Sequence, residues 1–591
     1  MKPSLILIPL MLLAGCSHNQ AQTPVPQPPT STVDPPGRVA RLSYKDGPVS
    51  MKAAGTDAWV GAELNRPLTT GDQLWTDDNA RLELDLGHAF VRLDSRSSLT
   101  ILNLDDRGVQ MSLTEGTGQI RLRRLDEDDE FEVDTPQAAV TLLRTGDYRF
   151  AVQQSGAETA VTVRSGQVEA ITPGQTFSIR ALQRASMTGV DSVTYQLSGT
   201  PPLDGFDDFC QTRDRREQQG ETAKNVAPNV IGWDDLDAYG SWRVYGSYGS
   251  VWFPRVVPPG WAPYRFGHWI WVSPWGWTWI DDAPWGFAPF HYGRWVFAGG
   301  GWGWVPGPIG IRAVYAPALV VFAGGGPGYR YYFGVGGGLG VAWFPLGPRE
   351  VYIPPYRASR VYVTNVNISH TVITNRNNIW NTDVARQRYV NRDVADAITA
   401  VPEDAFARGR PVSPVAVRVR PEDARNVRIG GSAPPVVPRR ESAGPGVDAA
   451  PSPRPPDGID RRSTTVRRTP AAEPVPLERQ RPTLERDPGR PADPSRVEEL
   501  RPTQPSATQA PRRQVQRPQT PAATQPSPTP APPRAPAARA PAPTPRRAEP
   551  APAPSPRATE NRRRTIEQER QRTETPRSEP AQGGPPQNRR R

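Results

Sequence analysis

The sequence contains very little cysteine and histidine. Only Cys16 and Cys210 occur among 591 residues, so a disulfide-rich scaffold is excluded. The five histidines show neither HExxH spacing nor a CxxC companion, and no glycine-rich phosphate motif precedes a helical pattern. We therefore predict no metal site and no cofactor. With 71 prolines, 52 glycines and 36% hydrophobic residues, much of the chain cannot pack, which excludes a single large globular enzyme.

The first residues indicate export from the cytoplasm. Lys2 precedes a short apolar run from Leu5 to Leu13, whereas a membrane-spanning helix needs ~20 residues. The run ends in Leu13-Ala14-Gly15-Cys16, which resembles the bacterial lipobox. The resemblance implies that residues 1–15 are a lipoprotein signal peptide, that Cys16 is lipidated, and that the protein sits in the outer membrane facing the periplasm. The alternative is an ordinary signal peptide cleaved near Ala21.

The C-terminal segment, residues 431–591, lacks every residue type that builds a core. It has 37 prolines and 30 arginines but no lysine, phenylalanine, tryptophan or tyrosine. Too little apolar surface is available to offset the entropy of ordering, so we predict a disordered tail rich in Pro, Arg and Ala. Export removes nucleic acid as a partner. We expect a spacer with weak contacts to anionic envelope polymers through its arginines.

Residues 37–188 show the pattern of an all-β domain, after a linker at 16–36 and before a second linker at 189–231. Apolar and polar residues alternate in short runs, and turn signals recur about every ten residues. The runs include Leu82-Leu84-Leu86, Val91-Leu93, Val109-Met111-Leu113, Tyr148-Phe150-Val152 and Val161-Val163. This spacing predicts an antiparallel β-sandwich or a short β-solenoid.

The same residues resemble the FecR-type periplasmic domain. The likeness lies in Leu68 to Thr76, Ala80 to Leu84, Glu132 to Val140, and Val161 to Val168. Founding members of that family are membrane-spanning regulators that receive a signal from a transporter and control a sigma factor. We recognise neither a transmembrane helix nor a cytoplasmic segment, so the resemblance implies the fold and an interaction role only.

Residues 232–356 form an aromatic repeat. Thirteen of the seventeen tryptophans lie between Trp233 and Trp304, and a Gly-x-Trp motif recurs after 27 and 26 residues. The spacing predicts a β-repeat module. In one interpretation an indole platform binds sugar rings through Trp261, Trp269, Trp277, Trp295 and Trp304; in the other the indoles are the core. Residues 357–430 predict a mixed α/β segment, with strands near 361–363 and 372–373 and a helix within 383–399. The stretches Leu236 to Trp242, Tyr389 to Pro402 and Gly409 to Val412, with Phe406, resemble an uncharacterised module found behind FecR-type domains.

These patterns favour a non-catalytic, lipid-anchored envelope protein that acts as an interaction scaffold or sensor towards envelope proteins. A glycan-binding protein, for peptidoglycan or exopolysaccharide, is the alternative. A hydrolase is disfavoured because its only candidates are the adjacent pairs Asp128/Asp129 and Asp281/Asp282, and neighbouring residues of a strand point to opposite faces. Cys210 is either an intermolecular disulfide partner or a small buried side chain.

Overall fold

A computed structural model describes residues 33–217, 220–323, 331–332, 339–417, 419, 429–444, 452–459, 461–502 and 512–515. The predicted signal peptide, the lipidation site Cys16, most of the 16–36 linker and residues 516–591 of the predicted tail lie outside the described residues. None of the helices within the described ranges is long and apolar enough to cross a membrane.

The N-terminal β domain (residues 37–217) contains seventeen strands and one helix. The strands are β1 (Ala40–Asp46), β2 (Val49–Lys52), β3 (Trp59–Gly61), β4 (Pro67–Leu68), β5 (Gln73–Thr76), β6 (Arg81–Asp85), β7 (Ala89–Leu93), β8 (Ser97–Leu104), β9 (Gly108–Leu122), β10 (Glu130–Asp134), β11 (Ala139–Leu142), β12 (Gly146–Val152), β13 (Glu158–Ser165), β14 (Gln167–Thr172), β15 (Gln175–Arg180), β16 (Gln183–Thr188) and β17 (Thr194–Gly199).

These strands make two sheets that share the long strand β9. The first sheet runs β4-β1-β6-β7-β9-β12-β13-β16-β17. The second runs β3-β2-β5-β8-β9-β10-β11-β14-β15. Residues Gly116 to Leu122 of β9 pair in the first sheet and its earlier residues in the second, and only the β9–β10 pair is parallel.

The two sheets face a common apolar core, which the period-two pattern specifies. Val91 and Leu93 come from the first sheet, Leu99 and Met111 from the second, and all four belong to one buried cluster. Because alternate side chains of a strand point to opposite faces, each run contributes every second residue to this core. The prediction of a mainly β protein is confirmed, and the arrangement corresponds to the sandwich of the two predicted alternatives.

The predicted linker at 189–231 contains part of this domain. Strand β17 extends the first sheet, and helix α1 (Gly205–Glu217) packs on its outer side. Asp207 of α1 bonds to Arg149 at 2.9 Å and to Arg164 at 2.7 Å. The sequence pattern missed these elements because β17 is exposed along its whole length and α1 is held by ion pairs, so neither carries a strong apolar period.

The aromatic module (residues 220–431) begins with three β-hairpins. Their strands are β18 (Gly240–Val244) with β19 (Ser250–Pro254), β20 (Gly267–Val272) with β21 (Gly276–Asp281), and β22 (Arg294–Ala298) with β23 (Gly301–Val305). Strands β19 and β23 pair as well, so two hairpins form one four-stranded sheet and the middle hairpin stands apart. Short helices α2 (Leu236–Tyr239) and α3 (Ala288–His291) precede the first and third hairpins.

The Gly-x-Trp repeat has a packing explanation in these hairpins. The glycine of each motif lies under an indole ring from the opposite strand, where a Cβ would approach ring atoms to within 2.2–2.7 Å. The pairs are Gly240 under Trp252, Gly267 under Trp279, and Gly293 under Trp304. Only glycine leaves room for the indole, so the period in sequence repeats one packing unit.

The module continues through the predicted mixed α/β segment. Strands β24 (Val320–Ala323), β25 (Tyr331–Tyr332), β26 (Leu339–Pro345), β27 (Thr399–Pro402) and β28 (Ile429–Gly431) form one sheet. Helices α4 (Arg360–His370), α5 (Asn377–Asn381) and α6 (Glu403–Ala407) lie between these strands in the chain. Single helical turns occur at Thr222–Lys224, Trp233–Asp235 and Gly246–Tyr248 before the sheet, at Val390–Asp393 within it, and at Arg440–Ala443 after it. The expected strand at 361–363 is therefore helical, because Ser359 caps α4 by accepting from the Tyr362 N–H. The expected helix within 383–399 is reduced to one turn.

Residues 431–515 differ from the predicted disordered tail wherever the structure describes them. They include β29 (Thr464–Val466), which pairs in parallel with β30 (Arg512–Gln514), and helices α7 (Leu477–Arg486) and α8 (Pro494–Glu499). Leu484 is buried in the core of the aromatic module. The segment lacks aromatic residues, but the surface of the folded domains supplies the apolar area and the carboxylates that order it.

A buried polar network joins the β domain to the aromatic module. Arg41 of β1 is fully buried and donates from Nε to Asn65 Oδ1 (3.0 Å) and from Nη2 to the Pro284 carbonyl (2.8 Å). Its Nη1 lies 2.6 Å from the Asp235 carboxylate. Asn65 in turn donates to the backbone oxygens of Asp281 and Ala283. Single side chains of the β domain thus bridge to two separate turns of the module.

Candidate functional site

An acidic face lies on the outer side of the second sheet of the β domain. Strand β10 reads Glu130-Phe131-Glu132-Val133-Asp134, and its two apolar residues point into the core. The alternation therefore places three carboxyl groups together on the outside. Gln110 of β9 lies beside them and donates to Glu132 at 3.3 Å and to Asp134 at 2.8 Å. We call Gln110, Glu130, Glu132 and Asp134 the acidic face.

The acidic face is covered by residues 461–468, which we call the docked segment. Arg467 donates from Nε to Glu132 Oε2 (3.1 Å) and from Nη2 to Glu130 Oε1 (3.2 Å). The backbone N–H groups of Arg467 and Arg468 both point to Glu132 Oε1, at 3.1 and 3.2 Å. Arg468 Nη1 lies 2.9 Å from Glu130 Oε2. As a result Glu132 is completely buried beneath a pair of arginines.

Hydrogen bonds to main-chain carbonyl groups of the β domain hold the docked segment in an extended conformation. The Thr465 N–H donates to the Thr135 carbonyl at 2.9 Å, and the Thr465 hydroxyl donates to the Pro136 carbonyl at 3.1 Å. At its start, Arg462 donates to the carbonyls of Thr114 (2.6 Å) and Gln154 (2.7 Å). The contacts are those of an extended peptide laid on a sheet surface: backbone bonds give affinity, and charged side chains give selectivity.

The charges on the two sides are matched. Burial raises the pKa of Asp134 well above its ordinary value, and the neighbouring Glu132 raises it further, which favours the neutral form of Asp134. Burial alone would lower the pKa of Arg467, but the charges of Glu132 and Glu130 outweigh it and the pKa rises. Two carboxylates, Glu130 and Glu132, thus face the guanidinium groups of Arg467 and Arg468 in a partly buried setting, where such charge-assisted hydrogen bonds are strongest.

The structure places four of the five tryptophans of the predicted sugar platform in the core, which corrects their assignment as a binding platform. Trp269, Trp277, Trp295 and Trp304 are between 0 and 3% exposed. Trp261 is half-buried and packs edge to face on Trp295, with ring centroids 5.5 Å apart. The buried indoles have no face open to a sugar and form the core, because the hairpins contain too few aliphatic residues to fill it without them.

The candidate carboxylate pairs have structural partners. Asp281 is buried and accepts from the Trp279 indole at 3.1 Å and from the Ala283 N–H at 3.0 Å, while Asp282 is exposed. Asp129 lies 3.3 Å from Arg38, and Asp128 is exposed in a turn. Cys210 is buried and unpaired in α1, and burial raises the pKa of its thiol to about 12. This placement fits the interpretation of Cys210 as a small buried side chain.

Sequence reasoning missed the acidic face. The signal was present, because three acids alternate with two apolar residues in β10, so one side of the strand is entirely carboxylic. The sequence predicts that the arginines of residues 431–591 meet anionic polymers outside this chain. No local pattern connects two segments that lie more than 300 residues apart.

Comparison with known proteins defines the class of the two domains. Residues 72–169 match the FecR protein family, so the β domain that bears the acidic face is a FecR domain. Residues 233–350, which span the three hairpins and the start of the following sheet, match a family of unknown function (DUF6600). The chain thus contains a FecR domain at residues 72–169, followed by a DUF6600 module at residues 233–350.

Similarity to individual proteins is weaker. No curated protein matches the chain. Two crystal structures of a candidate anti-sigma factor from Parabacteroides distasonis ATCC 8503 are similar to part of it, with 19% and 21% identity and TM-scores of 0.20 and 0.19. Each match covers 22% of this chain and 59% of that protein.

Proposed function

We propose that this protein is a non-catalytic, lipid-anchored envelope scaffold or sensor whose FecR domain binds an extended, arginine-containing segment of a partner protein at the acidic face. The observation that carries the proposal is the docked segment itself. It supports the proposal because a strand of this chain with consecutive arginines meets Glu130 and Glu132 on that surface.

The proposal gives the docked segment a competitive role. In the arrangement observed, residues 461–468 occupy the surface, so a partner segment has to displace them. An intramolecular ligand raises the concentration of partner that is needed for binding. The reason is that the effective concentration of the docked segment is set by the length of its linker and not by its abundance in the cell. Binding of a partner would release the C-terminal segment, which is the two-state behaviour that a sensor needs.

The envelope location rests on the lipobox resemblance. Cys16 would anchor the protein to the outer membrane with the FecR domain in the periplasm, and envelope proteins would be the partners within reach. Mass spectrometry of the membrane fraction tests this directly, since a diacylglyceryl group on Cys16 is expected and a Cys16→Ser variant should leave the membrane fraction. An unmodified N-terminus would contradict the anchor.

Peptide binding tests the acidic face. A fluorescent peptide with the sequence of residues 461–468 should bind the full chain only weakly, because the surface is occupied. It should bind tightly to a variant with Arg467→Ser and Arg468→Ser, in which the cis segment has lost its charged contacts.

Matched variants make this test specific. Adding Glu130→Gln and Glu132→Gln to the Arg467→Ser/Arg468→Ser variant should abolish peptide binding. Adding Glu127→Gln to the same variant should leave peptide binding unchanged, because Glu127 lies in the exposed turn before β10. If the peptide binds equally to all four proteins, or to none, the acidic face is not a peptide-binding surface.

A further inference from the structure

A groove of about 490 Å³ lies in the aromatic module, far from the acidic face in sequence. It is bounded by the turn that follows β26, by the residues after α4, and by residues 382–390. Its volume is within the range of small-molecule sites in proteins, ~300–1,000 Å³. None of the residues named so far as predicted or candidate site residues lines it.

Two arginines give the groove a positive charge. Arg349 and Arg388 both line it, both are exposed, and neither has an ion-pair partner among the residues that the structure describes. A third arginine, Arg386, is neutralised by Asp383 at 3.2 Å. Arg349 is moreover held with φ at 69°, a conformation that non-glycine residues adopt rarely, and its N–H is tied to the Thr371 hydroxyl at 2.8 Å.

The carboxylate in the groove wall does not cancel this charge. Glu350 is buried, and its oxygens accept from the backbone N–H groups of Gly347 (2.6 Å) and Val390 (2.7 Å). Burial raises the pKa of Glu350 to about 7, so it is substantially protonated near neutral pH. Through these two hydrogen bonds Glu350 links the turn after β26 to Val390.

Apolar side chains form another part of the lining. Val351 contributes from the buried side, while Val372 and Val390 are 61% and 48% exposed. Thr374, Thr382 and Gln387 add polar side chains to the lining.

We propose that this groove binds an amphiphilic organic anion, with a carboxylate, phosphate or sulfonate held by Arg349 and Arg388 and an apolar body along Val351, Val372 and Val390. Such a molecule has two sources in the envelope, the head region of an anionic lipid or a soluble amphiphile. The site shares no residue with the acidic face, so the two proposals fail independently.

The fluorescent probe 8-anilinonaphthalene-1-sulfonate tests the site, because it combines a sulfonate with aromatic rings. It should bind the full chain saturably. The Arg349→Gln/Arg388→Gln variant should bind it at least roughly tenfold more weakly, since it lacks two charge-assisted contacts. Arg376→Gln removes an exposed charge of the same segment that does not line the groove, and it should bind like the parent protein.

Displacement of the probe tests the chemistry of the ligand, and vesicle binding tests its source. Octyl phosphate should displace the probe, while octanol and inorganic phosphate alone should be at least tenfold less effective. Co-sedimentation with phosphatidylglycerol vesicles, lost in the double variant, would identify lipid as the source, and displacement without vesicle binding would identify a soluble amphiphile. Probe binding that is unchanged in the double variant, or displacement by octanol equal to that by octyl phosphate, would overturn the proposal.

Discussion

Replacing Arg41 with alanine should destabilise both folded domains together. The guanidinium group makes one ion pair, with Asp235, and two hydrogen bonds, with Asn65 and the Pro284 carbonyl, all in a buried position. The substitution leaves these partners without their donor. The groups are too enclosed for water to replace the arginine fully, because Asn65 is only 1% exposed and the Asp235 side chain 19%.

The size of the effect follows from the kind of contact. Breaking a buried ion pair by removing one partner costs ~3–5 kcal/mol, most of it the penalty of the carboxylate left behind. We therefore expect a loss of about 4 kcal/mol in the free energy of unfolding. The two domains together, residues 37–431, comprise about 400 residues, and the entropy of unfolding is ~2.1 cal/mol/K per residue. Each kcal/mol therefore lowers a shared midpoint by about 1.2 °C, so the shift should be roughly 5 °C.

Differential scanning calorimetry measures this effect. The parent protein should show the FecR domain and the DUF6600 module unfolding in one main transition, and Arg41→Ala should lower it or split it in two. Arg357→Ala is the control, because Arg357 pairs with Asp493 at 3.1 Å, both side chains are exposed, and such pairs contribute only ~0–1 kcal/mol. A shift for Arg41→Ala no larger than that for Arg357→Ala would refute the idea that Arg41 joins the domains.

Three further predictions concern the core. Gly293→Ala should cost about 3 kcal/mol or more, because φ is 68° and a Cβ would lie 2.4 Å from the Trp304 indole nitrogen, whereas Gly301→Ala, with open space around its Cβ position, should change the urea midpoint little. Burial raises the pKa of Glu83, but Arg213 and Arg92 outweigh burial and lower it to about 2. The resulting stabilisation of about 3 kcal/mol is present above pH ~4.5 and is lost as the pH falls through 2. Glu83→Gln should therefore be less stable than the parent at pH 6, and the difference in the free energy of unfolding should shrink by about 2 kcal/mol between pH 6 and pH 3. Equal pH slopes of urea unfolding would contradict this. Cys210 should react with a thiol reagent only after unfolding, and rapid labelling of the native protein would show that its thiol is accessible.

Much of the fold could be predicted from local pattern. Alternating runs such as Val109-Met111-Leu113 determine which face of a strand enters the core, and the structure buries all three. The repeat of Gly-x-Trp at 27 and 26 residues likewise indicates three equivalent units, and the structure contains three equivalent hairpins. Both signals arise between residues close in the chain, where strand geometry alone relates sequence to structure.

The function of the indoles could not be settled in this way. A tryptophan in an alternating run is equally compatible with a binding platform and with a core. The alternation shows that the indoles share one face of a strand, but it does not show whether other parts of the protein pack on that face. Trp295 and Trp304 are buried because the rest of the module closes over them. The groove was also invisible, since Arg349 and Arg388 are brought to one place only by the turn after β26 and the 390 segment.

By itself the sequence determined the strands, their inward faces and the aromatic repeat, because each depends on neighbours within one hairpin. Only the tertiary structure decided that Arg467 and Arg468 lie on Glu130 and Glu132, that Arg41 joins two domains, and that the indoles face inward. Those outcomes depend on pairing between distant segments, where burial and opposite charge act across space and leave no period in the chain.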